Sequence, residues 1–346
     1  MKKPHIVFTL LAFIGLFFGC ESKLSSLPPC EGEHCEDNYS SSNESEVSSS
    51  SSGGTATISS SSSRLSSSSS SITASSSSRV ASSSSVVSSS SVFVSPYSSL
   101  AQGQSGVSTG WASRYWDGCK PSCSWSDKPQ AISGSRCKAC SSNGTSEIAA
   151  NDNNRSSCDG GNSYTCFDQV PYIVNENLAY AFAATPGSGN QCGKCYQIQF
   201  DGGFEHGTAY ATHNAIKGKT LIVMSSNIGG DVSGGQFDLM IPGGGLGQFD
   251  AFSPQIGVNK SDLGAQYGGL LANCETQLNW ANGTLAQYQT CLRDKCNSVF
   301  GSKNANLLNG CLFYANWAMA ANNPKLLYKE VTCPQYLIDK YKASML

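Results

Sequence analysis

Ser113-Arg114-Tyr115-Trp116-Asp117-Gly118-Cys119-Lys120-Pro121-Ser122-Cys123-Ser124-Trp125 is the stretch that decides how this chain of 346 residues is read. Asp117 directly follows two large aromatics, with Cys119, Cys123 and Trp125 close behind. A carboxylate so placed suits an acid or base on a disulfide-stapled strand beside a stacking surface, and sugar rings present apolar C–H faces to such a surface. Without further context the same residues serve equally as core filler around a solvated or capping Asp.

Upstream, the chain carries targeting signals and a polymer-like spacer. Lys2 and Lys3 precede an apolar run from Ile6 to Phe18, which is followed by Gly19-Cys20. The run falls short of the ~18 residues that a membrane-spanning helix needs, so residues 1–19 read as a signal peptide. Gly before Cys also marks the cleavage point of a bacterial lipoprotein signal, which makes Cys20 the expected lipidation site, although Phe17 and Phe18 depart from the usual pattern. In the anchor-proximal segment, residues 20–38, Cys30 and Cys35 enclose only four residues and are expected to pair locally. Residues 39–108 are dominated by serine and show no apolar period of 2 or 3.6; a segment of this kind cannot bury enough apolar area to offset its ordering entropy and reads as a solvated linker. The remainder, 109–346, has the composition of one globular domain.

A formal net charge of −2 provides no basic field for nucleic acid. Sixteen cysteines in an exported chain argue for disulfides in an oxidising compartment. The spacings Cys137-x-x-Cys140 and Cys192-x-x-Cys195 also suit zinc, but export and the many other cysteines nearby favour bridges, and no metal is expected.

Strand-like alternation predicts strands over 195–200, 208–212, 219–224, 237–241 and 326–331, separated by Gly, Asn and Asp turns. Helical spacing predicts a helix over 175–184, through Leu178, Phe182 and small alanines. A second is predicted over 284–300, opened by the capping-box pattern Thr284-x-x-Gln287 and stopped by Gly301.

The next chemically suggestive stretch is Ser226-Asn227-Ile228-Gly229-Gly230-Asp231-Val232-Ser233-Gly234-Gly235-Gln236-Phe237-Asp238-Leu239-Met240-Ile241-Pro242-Gly243-Gly244-Gly245-Leu246-Gly247-Gln248-Phe249-Asp250. Its glycines let backbone approach a ligand, while Phe237 and Leu239 to Ile241 supply a strand that can hold Asp238 among apolar neighbours. Burial raises a carboxyl pKa, as a general acid working near neutrality requires. A phosphate loop is excluded: Gly-x-Gly-x-x-Gly begun at Gly243 meets Gln248, begun at Gly245 it meets Asp250, and no amphipathic helix follows.

Both stretches resemble the signature blocks of glycoside hydrolase family 45, the inverting endo-β-1,4-glucanases. The first block of that family usually reads Thr-Arg-Tyr-Trp-Asp-Cys-Cys-Lys-Pro-Ser-Cys; the second contains Gly-Gly-Asp, Phe-Asp-Leu and Ile-Pro-Gly-Gly-Gly before a Phe-Asp. The resemblance extends to 169–185, to Gln266-Tyr267-Gly268-Gly269 and to Ala321-Asn322-Asn323-Pro324 through Cys333-Pro334. It implies an all-β fold with added helices, a six-stranded double-psi β-barrel with long disulfide-stapled loops. It also implies Asp238 as general acid, Asp117 as general base and Asp231 as an assisting loop aspartate, with Asp250 non-catalytic. Tyr115, Trp116, Trp125, Lys120 and Tyr267 become the substrate-binding candidates, Lys120 through a sugar hydroxyl or the Asp117 carboxylate.

Departures from the family pattern come in pairs. Ser113 stands for Thr; Gly118 stands for the first of the paired cysteines, and the usual partner position holds Phe252. Gly193 likewise replaces a cysteine, and no cysteine follows Cys333. The resemblance implies the bridges Cys119–Cys158, Cys123–Cys192, Cys140–Cys166, Cys195–Cys333 and Cys274–Cys311. Cys137, Cys291 and Cys296 are left unassigned, with Cys291 and Cys296 about 140° apart around an ideal helix. Residues 275–309 form a longer connection than many family members carry, a candidate lid or groove edge.

The expected protein is a monomeric, exported, surface-tethered β-glucan hydrolase without a cofactor, touching membrane only through its lipid anchor. The alternatives are an expansin-like glucan-binding or wall-loosening protein, a class that lacks the base Asp117 supplies, and a Ser-rich adhesin with a degenerate glucanase domain. His206 and His213 have neither a Gly-x-Ser-x-Gly elbow nor a second ligand nearby, which disfavours serine-hydrolase and metal chemistry.

Overall fold

The computed structural model describes residues 95–187 and 190–346. The expected signal peptide, Cys20, the Cys30–Cys35 bridge and the linker up to residue 94 lie outside the described residues. The last part of the stretch read as linker packs on the domain: Leu100 is buried, and its N–H donates to Gln199 Oε1 at 2.6 Å.

The strands are β1 (Ser108–Tyr115), β2 (Ala139–Cys140), β3 (Glu147–Ile148), β4 (Tyr172–Ile173), β5 (Leu178–Thr185), β6 (Cys195–Phe204), β7 (Thr220–Ile228), β8 (Gln236–Met240) and β9 (Pro324–Val331). Seven of them form one mixed sheet in the order β4-β5-β7-β6-β9-β1-β8, and β8 makes a further pairing with β5; β2 and β3 form a separate pair. The helices are α1 (Ala211–Ile216), α2 (Phe252–Ile256), α3 (Gly269–Gln277), α4 (Leu285–Phe300), α5 (Ala305–Asn316) and α6 (Gln335–Tyr341). The protein is therefore mostly sheet with added helices.

Two secondary-structure expectations are overturned. The helix expected over 175–184 is strand β5, flanked by β7 in parallel and by β4 and β8 in antiparallel pairing. A strand covered on both faces carries no polar alternation, so its alanines and the Leu178/Phe182 spacing imitate a helix. The strand expected over 208–212 is instead a loop entering the short helix α1, which buries Thr212 and His213. The helix expected over 284–300 is present as α4: Thr284 Oγ1 accepts from Gln287 N at 3.3 Å, Gln287 Oε1 accepts from Thr284 N at 2.8 Å, and Tyr288, Leu292, Cys296 and Phe300 line its buried face.

Bridges join Cys119–Cys158, Cys123–Cys192, Cys140–Cys166 and Cys195–Cys333. The expected Cys274–Cys311 bridge does not form; Cys274 pairs with Cys291 and Cys311 with Cys296. Helix α4 faces α3 on one side and α5 on another, and the 140° between Cys291 and Cys296 aims one thiol at each neighbour. Cys137 remains a buried free thiol. Positions 118 and 252 are adjacent, since a Cβ on Gly118 would stand 3.0 Å from the Phe252 backbone. Phe252 packs there against Trp116 and Phe300.

Candidate active site

Along β1 and just past it, exposure alternates: Trp111, Ser113, Tyr115 and Asp117 are part-exposed, whereas Ala112, Arg114, Trp116 and Gly118 are buried. This is the period of 2 that extended backbone imposes. It sorts the first block into a part-exposed face, which carries Ser113, Tyr115 and Asp117, and a core face, which carries Trp116.

Parallel pairing of β1 with β8 sets Ser113 opposite Asp238, and pairing of β8 with β5 sets Ala184 opposite it on the other side. Asp238 is thus positioned by backbone ladders on both flanks. The Ser113 hydroxyl donates to Asp238 Oδ1 at 2.6 Å and accepts from Gln236 Nε2 at 2.8 Å, while Gln236 Oε1 accepts from Ser233 N at 3.2 Å. A chain of directed hydrogen bonds therefore runs from the Gly-rich 229–235 loop to the carboxyl group. Burial pushes the Asp238 pKa up to about 7; Ser113 and the Arg114 charge oppose the rise, and Asp231 and Asp117 add to it.

Asp117 Oδ1 accepts from Cys119 N at 2.9 Å, and its carbonyl accepts from Ala251 N at 2.9 Å. Burial raises its pKa to about 6, with smaller contributions from the charges of Asp231 and Asp250. Tyr115 experiences both Asp117 and Asp238, and burial drives its own pKa upward. Its hydroxyl accepts from Asn227 Nδ2 at 2.9 Å, leaving its proton free to be donated. Asp231 stands exposed on the loop.

The groove encloses about 310 Å³, and Ser113, Tyr115, Asp231, Gln236 and Asp238 are among its lining residues. Its floor is a buried polar network. Arg114 donates to Asn322 Oδ1 at 2.8 Å and to the Gly268 carbonyl at 3.0 Å. Asn322 Nδ2 in turn donates to the fully buried Glu275 at 2.9 Å, which also accepts from the Tyr210 hydroxyl. The Asn322 carbonyl meets His213 Nε2 at 2.7 Å. Burial raises the Glu275 pKa, against the hydrogen bonds from Tyr210 and Asn322 and the Arg114 charge, and lowers that of His213.

Among the residues expected at the site, Asp238, Asp231, Tyr115 and Tyr267 line the groove; Asp117, two residues past the end of β1, is not among the lining residues and is tied to the site by its charge on Tyr115 and Asp238. Trp116 does not: it is 2% exposed and packs on Phe252. Lys120 reaches neither Asp117 nor the groove. Its Nζ donates to the carbonyls of Asn151 and Asn154 at 2.7 and 2.9 Å and lies 3.7 Å over the Trp125 ring, which is thereby taken up outside the groove lining. Burial lowers the Lys120 pKa to about 8. Sequence reading missed Trp111, Gln236, Glu275 and Trp280, all in the groove wall. For Trp111 the signal was present, since it shares the odd-numbered face of β1 with Ser113 and Tyr115.

The family model for glycosyl hydrolase family 45 matches residues 109–281, from β1 past the end of α3. Endoglucanase B of Cellvibrio japonicus is 48% identical over 239 residues, which are 68% of this chain and 45% of that one, so this chain matches about half the length of that relative. An endoglucanase of Cryptopygus antarcticus is 37% identical over 240 residues, 68% of this chain and 87% of the other. The crystal structure of a cellulase from the Antarctic springtail Cryptopygus antarcticus aligns with TM-score 0.53 at 33% identity, over 68% of this chain and 96% of that one. Both signature blocks fall inside residues 109–281, the span matched by the family model, and the chain belongs to glycosyl hydrolase family 45.

Proposed function

We propose that the protein hydrolyses internal β-1,4-glucosidic bonds of cellulose or a related β-glucan with inversion of anomeric configuration. The observation that carries this reading is the pair of half-buried carboxyl groups just past β1 and in β8, with pKa values raised to about 6 and about 7, that share one electrostatic neighbourhood around Tyr115. Between those values Asp117 is mainly ionised and Asp238 mainly protonated, the division of labour that an inverting mechanism needs. Asp238 donates its proton to the departing glycosidic oxygen as the C1–O bond breaks. Asp117 takes a proton from a water that attacks C1 on the opposite face, forming the new C1–O bond. The gap such chemistry requires is about 6.5–9.5 Å between carboxyl groups, room for one water. Afterwards the proton on Asp117 is lost to solvent and Asp238 is reprotonated.

Ser113 holds one oxygen of Asp238 by donating to it, which directs the acidic proton to the other oxygen. Asp231, on the facing loop, adds negative potential that raises both other carboxyl pKa values and favours positive charge developing at C1. In this reading strands β5, β7, β6, β9, β1 and β8 form the six-stranded double-psi barrel, a closure supported by the β5–β8 pairing. Six bridges favour an oxidising, extracytoplasmic setting, in keeping with export and an N-terminal tether.

Reducing-sugar release from carboxymethylcellulose and barley β-glucan tests the proposal. Wild-type protein should release sugar, and Asp238→Asn and Asp117→Asn should each lose on the order of 10³-fold or more while still folding. Binding without release by the wild type would instead return the expansin-like reading.

A further inference from the structure

Trp280 stands 55% exposed in the wall of the groove. Isolated exposed aromatics are ordinary on protein surfaces. The backbone beneath this one is not. Asn279 and Trp280 have φ of 51° and 57°, two consecutive non-glycine residues in the left-handed region, where a bulky side chain is strained. Surrounding contacts hold the strain in place: the Asn279 carbonyl accepts from Asn282 Nδ2 at 3.0 Å, Gly283 N donates to the Tyr288 hydroxyl at 3.2 Å, and the Cys274–Cys291 bridge closes the segment. Strain concentrated under an exposed ring that faces a binding groove indicates a ring positioned for a ligand.

The neighbouring helix provides a ruler. Ala272 and Glu275, three residues apart, present one face of α3 to the groove, and Gly268 meets it just before the helix begins. Tyr267 projects at the N-terminal end of that helix, 67% exposed, and Trp280 just past its C-terminal end. The nine residues of α3 rise ~13 Å, so the helix ends beside which Tyr267 and Trp280 stand lie farther apart than one sugar ring is wide.

We infer that Trp280 is a specificity-determining residue that reads chain length: its indole stacks on the C–H face of a glucosyl unit of a bound β-1,4-glucan, at a subsite separate from the one where the bond is cut. The inference rests on the glucan-hydrolase reading for its substrate class. It goes beyond that reading by giving the α3–α4 connection a task.

The test compares cellohexaose with cellotriose. Calorimetric binding in an Asp238→Asn background, where nothing is turned over, should show Trp280→Ala weakening cellohexaose by roughly 5–10-fold and cellotriose much less, with Trp280→Phe recovering most of the loss. In the parent enzyme the same Trp280→Ala change should raise KM for the long substrate and spare kcat. Equal affinity for cellohexaose with and without the ring overturns the inference, as does an equal loss for both lengths or a Phe variant no better than Ala. Length-selective binding through Trp280 in a protein that releases no sugar would uphold the subsite and sink hydrolysis. Hydrolysis with an unaltered KM in Trp280→Ala would do the reverse.

Discussion

The groove has two walls built by different means. One wall is sheet: β1 and β8 lie in parallel register, and each ladder hydrogen bond helps to set Asp238 against Ser113. The other is α3 and the turn that follows it, through Ala272, Glu275 and Trp280, backed by α4 and α5, where Cys274–Cys291 and Cys296–Cys311 tie the three helices together across separations of 17 and 15 residues. Proton transfer demands placement to within a fraction of an ångström, which continuous backbone pairing supplies. Holding a polymer needs only broad apolar surfaces, and a disulfide-tied connection can present those while its length and sequence vary. In the proposed reading, chemistry belongs to the sheet wall and selection to the helical wall.

The sharpest way to break that division is at the carboxyl groups. Loss of turnover in Asp238→Asn and Asp117→Asn should far exceed anything achieved by changes between residues 269 and 316. Activity within a few-fold of wild type in either variant would remove chemistry from the sheet wall.

A second test uses pH. With Asp117 near 6 and Asp238 near 7, kcat/KM should fall on the acid side as the base becomes protonated and on the alkaline side as the acid ionises. The Ser113 hydrogen bond stabilises the ionised form of Asp238 and so lowers its pKa. Ser113→Ala should therefore shift the alkaline limb to higher pH, leave the acid limb in place, and cost on the order of tenfold in kcat through lost orientation. A limb that moves downward, or two limbs that move together, would contradict the assignment of Asp238 as the acid.

The smallest catalytic effect belongs to the helical wall. Replacing Cys274 and Cys291 together by Ser should lower unfolding stability by ~2–3 kcal/mol, measured by denaturant titration. Turnover of a short soluble substrate should change much less than in Ser113→Ala. A catalytic loss equal to that of Ser113→Ala would show that the helical wall positions the carboxyl groups after all.

The two walls also differed in how far sequence disclosed them. Tyr115, Asp231 and Asp238 were legible as groove residues because short motifs carry them and because a strand's period of 2 is simple; the same period, applied from Trp111 onward, separates Tyr115 from Trp116. Lys120 misled because nothing local reveals that the carbonyls of Asn151 and Asn154 lie within its reach. Strand β5 was hidden by its own burial. On the helical side, carrying Cys274–Cys311 over from the family ignored the two cysteines that the longer connection adds. Their positions on α4 already excluded pairing with each other and so called for two outside partners. Trp280 had no motif around it, and only its left-handed backbone and exposure within the groove single it out.

The most direct test of the central claim is the anomeric configuration of the first product, followed by proton NMR during hydrolysis of a soluble cello-oligosaccharide. Asp117 and Asp238 acting on opposite faces of one sugar, with water between, must yield the α-anomer at the newly formed reducing end before mutarotation. A β-anomer appearing first would mean a covalent or same-face route and would contradict the account.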